Sequence, residues 1–206
     1  MIVTDIIEID KGRVKVYIDN EFAFVLYKGE LHLYAIQEGH KMPKDIYEEI
    51  TGNVLVKRAK NRALNLLVKK DYTETGIRRK LAEGYYSEEQ IDATVRFLKG
   101  YGYIDDGRFV KNYFAVYIQS KPRQYIIRKL VEKGISNQLI MDMIDEIYEE
   151  ESNLTVVPDE IEIGRKLLEK KRFDINASMK ERQKAYGYLL RNGISNENAI
   201  KLLKEC

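Results

Sequence analysis

Several residue types that organise secreted, metal-binding or catalytic domains are almost missing from this chain of 206 residues. There is one cysteine, Cys206, and it is the last residue, so no intramolecular disulfide can form and a reducing compartment is expected. A frayed terminal thiol is also a poor candidate for a nucleophile. The two histidines, His32 and His40, stand eight positions apart with no cysteine nearby; a helical metal pair needs a different spacing, and no metal site is expected. No apolar run approaches the ~20 residues that cross a bilayer, so no membrane partner is expected. The opening residues Met1-Ile2-Val3-Thr4-Asp5 lack the basic start and apolar stretch of a signal peptide, which leaves the cytoplasm as the expected location. No glycine-rich phosphate loop, nucleophile elbow or metalloprotease helix motif is found. The chain therefore reads as a binding protein, without catalysis and without a cofactor.

Charge of one sign is lacking too. A third of the residues are charged, yet the formal net charge is only +2, far from a basic nucleic-acid arm. What the sequence has is segregation, with basic and acidic residues clustering in different stretches.

The first fifty residues are rich in β-formers. Residues 2–9, 13–18 and 21–26 read as three strands of a small meander, broken at Asp10-Lys11-Gly12 and at Asp19-Asn20. Gly29 to Ile36 reads as a short helix, and Pro43 as sitting just inside a further helical start carrying Ile46 and Ile50. From residue 54 the apolar period becomes helical. Val56, Ala59, Ala63 and Leu67 mark a first helix, Ile77 and Leu81 a second that starts near Thr73 and is closed by Gly84, and Ile91, Val95 and Leu98 a third behind the capping box Ser87/Gln90.

The design then repeats. Val110, Tyr113, Phe114 and Tyr117 mark a first helix, Ile126, Ile127, Leu130 and Val131 a second opened by Pro122, and Ile140, Ile144 and Ile147 a third after Gly134 and Ser136. Lys80-Leu81-Ala82-Glu83 recurs as Lys129-Leu130-Val131-Glu132, a spacing of 49 residues that Ser87 and Ser136 share. Gly134-Ile135-Ser136-Asn137 recurs as Gly193-Ile194-Ser195-Asn196 at a spacing of 59, with the additional residues placed in an acidic joint, Glu149 to Pro158. Ser178 and Glu181 supply another capping box. The expected architecture is mainly α: three tandem three-helix repeats in an elongated array, preceded by a small N-terminal β-rich extension. The boundaries read as 1–53, 54–104, 105–150 and 158–206.

Candidate contact residues are basic. The second helices carry Arg78, Arg79 and Lys80, then Arg123, Arg128 and Lys129 after Lys121, then Arg182, Lys184 and Arg191. First helices add Lys57, Arg58, Lys60 and Arg62, and Lys166, Lys170, Lys171 and Arg172. Any one of them is best read as a solvated helix charge with an i, i+4 partner. Repetition in corresponding helices raises the weight of the set, since an array would line them along one surface suited to a phosphate backbone or an acidic protein groove. Arg79 and Arg128 fall on the side away from the apolar stripe. Asp105-Asp106 reads as a helix cap rather than a catalytic pair. Of fifteen tyrosines, Tyr113, Tyr117 and Tyr186 occupy packing positions rather than stacking platforms.

Gly102-Tyr103-Ile104-Asp105-Asp106-Gly107-Arg108-Phe109, followed by Lys121-Pro122-Arg123, Leu130 and Lys133-Gly134-Ile135, resembles the central motif of the RecX family. The resemblance extends over residues 54–206, with Tyr103, Asp105, Asp106, Phe109 and Gly134 as its structural motif positions. The third repeat and Gly107 depart most from the family pattern. The resemblance implies a non-enzymatic, monomeric regulator that binds the RecA–DNA filament and lowers its ATPase and strand-exchange activities, with weak affinity for single- or double-stranded DNA. Two other readings of the same residues are a helical module acting on DNA directly and a helical scaffold for another protein.

Overall fold

The computed structural model describes residues 1–150, 159–174 and 177–205. Most of the acidic joint expected at 149–158 lies outside the described residues, as does Cys206. The chain divides into two compact units, Met1–Asp105 and Asp106–Cys206.

The first unit opens with an antiparallel sheet in the order β1 (Val3–Glu8), β2 (Arg13–Ile18), β3 (Glu21–Tyr27). The period-two pattern of β2 decides its faces. Val14, Val16 and Ile18 are buried, while Arg13, Lys15 and Tyr17 alternate onto the other side. The buried face joins Phe24, Leu26, Ile36, Met42, Ile50 and Leu55 in one core, closed by the short helices α1 (Lys28–Leu33) and α2 (Lys44–Glu49). Pro43 stands one position outside α2, as its N-cap with extended backbone at φ −64° and ψ 142°, a conformation the pyrrolidine ring already favours. Helix α2 runs on through a π-helical turn, Ile50–Val54, into α3 (Leu55–Leu67), so the helical path is unbroken across residue 53.

Helices α3, α4 (Glu74–Ala82) and α5 (Glu88–Gly100) form the first three-helix bundle around Ala59, Ala63, Ile77, Leu81, Ile91, Val95 and Leu98. Thr73 caps α4 by accepting from the Gly76 N–H at 3.0 Å, and Ser87 with Gln90 forms the capping box of α5. The buried Gln90 side chain also donates to the Thr51 carbonyl at 3.2 Å, which ties the bundle to the π-helical turn.

The second unit holds two more bundles. The first has α6 (Asp106–Tyr117), α7 (Arg123–Glu132) and α8 (Asn137–Glu150) around Val110, Phe114, Ile126, Leu130, Ile140 and Ile144. The other has α9 (Glu160–Lys170), α10 (Met179–Arg191) and α11 (Asn196–Glu205) around Ile163, Leu168, Leu189, Ile194, Ala199 and Leu202. The chain is thus mainly helical with a small N-terminal sheet. Pro122, like Pro43, lies one position before its helix as the N-cap.

The turn after the second helix is built the same way in all three bundles. Its last residue returns an N–H to a carbonyl five positions back: Tyr86 to Leu81 at 3.4 Å, Ile135 to Leu130 at 3.3 Å, Ile194 to Leu189 at 3.1 Å. The residue before it takes the left-handed conformation. In the second and third bundles that residue is Gly134 (φ 87°) and Gly193 (φ 89°). In the first it is Tyr85 (φ 67°), not Gly84. Gly84 has a different reason to be small, because a Cβ there would lie 3.0 Å from the Leu81 carbonyl and 3.0 Å from the Tyr86 ring.

Candidate interaction surface

The predicted cations separate into groups with different work to do. Arg78 is a clamp between α4 and α5, reaching Glu74 at 2.9 Å and Asp92 at 2.7 Å. Lys99 reaches the same Glu74 at 2.7 Å, and these contacts hold the Glu74 carboxyl below its ordinary value, the Lys99 hydrogen bond foremost. Position 127, where the repeat would place a second such clamp, is isoleucine. Lys80 and Lys129 make the same i, i+3 pair with Glu83 and Glu132, at 2.6 Å and 2.5 Å.

Repeat two gathers its cations around one ring. Lys121, Arg128 and Lys129 stand 4.9, 5.6 and 5.9 Å from the centroid of Tyr125, at the start of α7. Arg128 also donates to the Arg191 carbonyl at 2.6 Å, at the C-terminal end of α10 where a cation meets the negative pole of the helix. Arg128 therefore helps to join the second and third bundles. Arg123 lies over Tyr148 at 5.5 Å and 3.7 Å from Asp145, within its own bundle. Arg182 donates to the Leu203 carbonyl at 2.5 Å and serves packing.

In the third bundle Lys171, Arg172 and Lys184 converge with Arg191 on an open cleft of about 450 Å³ between α9 and α10. Lys171 sits 4.9 Å over Tyr188, and Arg172 takes the left-handed position that ends α9, at φ 52°. Asp174 and Glu181 line the same cleft, so its charge is mixed. Arg79, Lys170 and Lys184 are exposed and make no hydrogen bond or ion pair among the described residues, which leaves their charges available to a partner.

The motif residues are placed structurally. Asp105 immediately precedes α6 and Asp106 opens it, where carboxylates favour the helix dipole. Tyr103 is half exposed and stacks on Tyr101 at 6.1 Å; Phe109 stacks on Tyr113 at 6.1 Å. Tyr113 and Tyr117 pack against the second core, and the Tyr186 hydroxyl donates to Asn196 at 2.5 Å.

One group was not assembled by sequence reasoning. Arg58, Arg62 and Lys69 line a second cleft of about 410 Å³ on α3, with Tyr27 from the sheet and Tyr86 from the turn after α4. Burial pushes the Tyr86 phenol up, while Arg58 and Arg62 pull the other way. The sequence signal was present, since Arg58, Arg62, Asn65 and Lys69 follow helical spacing. The contribution of the sheet and of Tyr86 was not.

Fold and surface together define a class: tandem three-helix units behind a small antiparallel sheet, with cations grouped on open helix faces. Residues 59–98 match the family model described as RecX, first three-helix domain. Over 205 residues the chain is 32% identical to the protein named Regulatory protein RecX of Caldanaerobacter subterraneus subsp. tengcongensis, covering 98% of each. It is 29% identical to the protein of the same name from Clostridium acetobutylicum, over 95% of this chain and 90% of that one. A crystal structure described as regulatory protein RecX shares the fold with a TM-score of 0.59 at 24% identity, over 99% of this chain and 98% of that one. The crystal structure of RecX from Lactobacillus salivarius gives 0.55 at 21% identity, over 74% and 96%. The chain belongs to the RecX family.

Proposed function

We propose that this protein is a non-enzymatic regulator that binds the RecA–DNA filament and lowers its ATPase and strand-exchange activities in recombination and repair. The observation that carries this reading is the end-to-end similarity to proteins named as RecX regulators, at 32% identity over 98% of both chains. Several small three-helix units in one chain support it physically, because contacts of modest affinity at successive protomers add through effective concentration. The exposed Arg79, Lys170 and Lys184 are the contact residues proposed, with Lys171 and Arg172 lining the same cleft as Lys184 in the third bundle. Arg78, Arg128 and Arg182 are set aside as contacts because their guanidinium groups hold the fold. The proposal places the protein in the cytoplasm as a monomer; no described helix is long and apolar enough to cross a membrane.

The test is single-strand-dependent ATP hydrolysis by the cognate recombinase, titrated with this protein up to equimolar amounts. Inhibition at substoichiometric ratios, weakened severalfold by Arg79→Glu with Lys170→Glu, is the expected result. Unchanged hydrolysis together with no co-sedimentation on filaments overturns the reading.

A further inference from the structure

We propose that the contact between the turn after α10 and the start of α7 is a releasable latch. Bundles two and three part without unfolding when an oxyanion takes Arg128 from the Arg191 carbonyl.

The seam between the two bundles is narrow. Their apolar cores stay separate, one around Ile126 and Leu130, the other around Leu189 and Ile194. Among the described residues no helix of bundle two packs along a helix of bundle three. The Arg128 hydrogen bond joins them at 2.6 Å, beside the backbone of Gly193, where a Cβ would lie 2.8 Å from the Tyr125 nitrogen. An interface this small and polar permits relative motion, because parting exposes little apolar surface.

Parting also strands no buried polar group. The turn satisfies itself: Gly193 donates to the Leu190 carbonyl at 3.0 Å, Ile194 to that of Leu189 at 3.1 Å, and the Asn192 side chain to that of Tyr188 at 2.9 Å. On the facing side the Tyr125 N–H already donates to the Pro122 carbonyl at 3.0 Å. Arg128 and the Arg191 carbonyl lose each other, but both residues are exposed and water replaces the bond. Such a contact is reversible.

Electrostatics says what opens it. Arg128 makes no ion pair among the described residues, and Glu132, one turn further on, is held by Lys129 at 2.5 Å. The guanidinium is therefore parked on a neutral carbonyl. A carboxylate or phosphate carries a full charge and accepts two parallel bonds, which a carbonyl cannot. Lys121 and Lys129 stand with Arg128 around the Tyr125 ring, so an oxyanion arriving there meets three cations. It gains Arg128 only in the open form, and that difference moves the equilibrium. Opening also changes where Lys170, Lys171 and Lys184 stand relative to bundle two. That consequence rests on the filament reading, whereas the latch itself does not.

The experiment is single-molecule energy transfer in the full chain, without recombinase. Dyes are placed on Gln138→Cys in bundle two and Glu197→Cys in bundle three, with Cys206→Ser to remove the native thiol. Two populations are expected, the closed one larger. Arg128→Ala should move the closed-to-open ratio about fivefold towards open, whereas Arg79→Ala should leave it unchanged. Sodium pyrophosphate should open the parent further than sodium chloride of equal ionic strength, and should have no such effect on Arg128→Ala. Gly193→Ala, whose Cβ overlaps Tyr125, is the second variant and should empty the closed population. Circular dichroism should show the helices of Arg128→Ala intact. A single population that neither variant nor pyrophosphate moves overturns the proposal. So does an equal response to pyrophosphate and chloride, or a loss of helix in Arg128→Ala. A chain that fails to inhibit the recombinase but gives these shifts has lost the filament reading and kept the latch.

Discussion

At the scale of single residues, several charges hold the fold instead of facing a partner. Glu74 illustrates it, gripped by Arg78 from its own helix and by Lys99 from α5. Its carboxyl titrates below the ordinary value in the folded protein, so its contribution is present above the unfolded value near 4.5 and disappears as pH falls through the lower folded one. Glu74→Gln is therefore expected to lower stability by about 0.5 kcal/mol at pH 7, small because the pair faces solvent. Urea midpoints of variant and parent should converge as pH falls below the ordinary carboxylate range; a gap that persists there would show that packing, not charge, carries the effect. Arg128 makes the opposite point. Helical spacing puts it on the polar side, which it occupies, yet its guanidinium is bonded to the Arg191 carbonyl of another bundle. Arg128→Ala is expected to cost about 1 kcal/mol, read as a lower thermal midpoint, whereas Arg79→Ala should leave that midpoint unchanged.

At the scale of elements, the recurring helix–turn–helix is what three sequence copies share, and its glycines are not equivalent. Gly102 ends α5 at φ 68° with open space around a built Cβ, so Gly102→Ala meets only the left-handed backbone cost, about 1 kcal/mol. Gly193 has φ 89°, and a Cβ there would lie 2.8 Å from the Tyr125 nitrogen and 2.9 Å from its Cβ. Gly193→Ala should cost more than 2 kcal/mol, roughly the strain plus a displaced helix start. Equal losses in the two variants, measured by thermal denaturation, would contradict the close approach of the turn to α7. The caps of these elements were legible in the sequence, because Ser87/Gln90 and Ser178/Glu181 satisfy their helix starts locally and do so in the structure. The prolines were misplaced by one position, since a ring that fixes φ suits the N-cap as well as the first turn.

At the scale of the whole molecule, two units each carry their own cores, which predicts partial independence. A fragment of residues 1–105 is expected to fold with a cooperative thermal transition. A fragment starting at residue 53 keeps the basic helices but removes Ile50 and the Thr51 carbonyl that accepts from buried Gln90. It should be less stable than the full chain by about 1–3 kcal/mol for that lost acceptor alone. Similar stability of repeat one with and without residues 1–52, followed by hydrogen exchange of α5, would sink this reading. What the sequence determined by itself is whatever depends on neighbours a few positions away: strand alternation in β2, the helical apolar stripes, the caps, and the local turn-and-cap pattern whose recurrence at spacings of 49 and then 59 residues marks three bundles. Those features follow from backbone periods and local hydrogen bonding, which any window of the chain contains. Only the tertiary structure decided which cations are partnered, which turn carries Tyr85 beside Phe22 of the sheet, and that the Nε of half-buried Arg62 has no acceptor among the described residues. These depend on side chains brought together from positions tens of residues apart, and no local period encodes that distance.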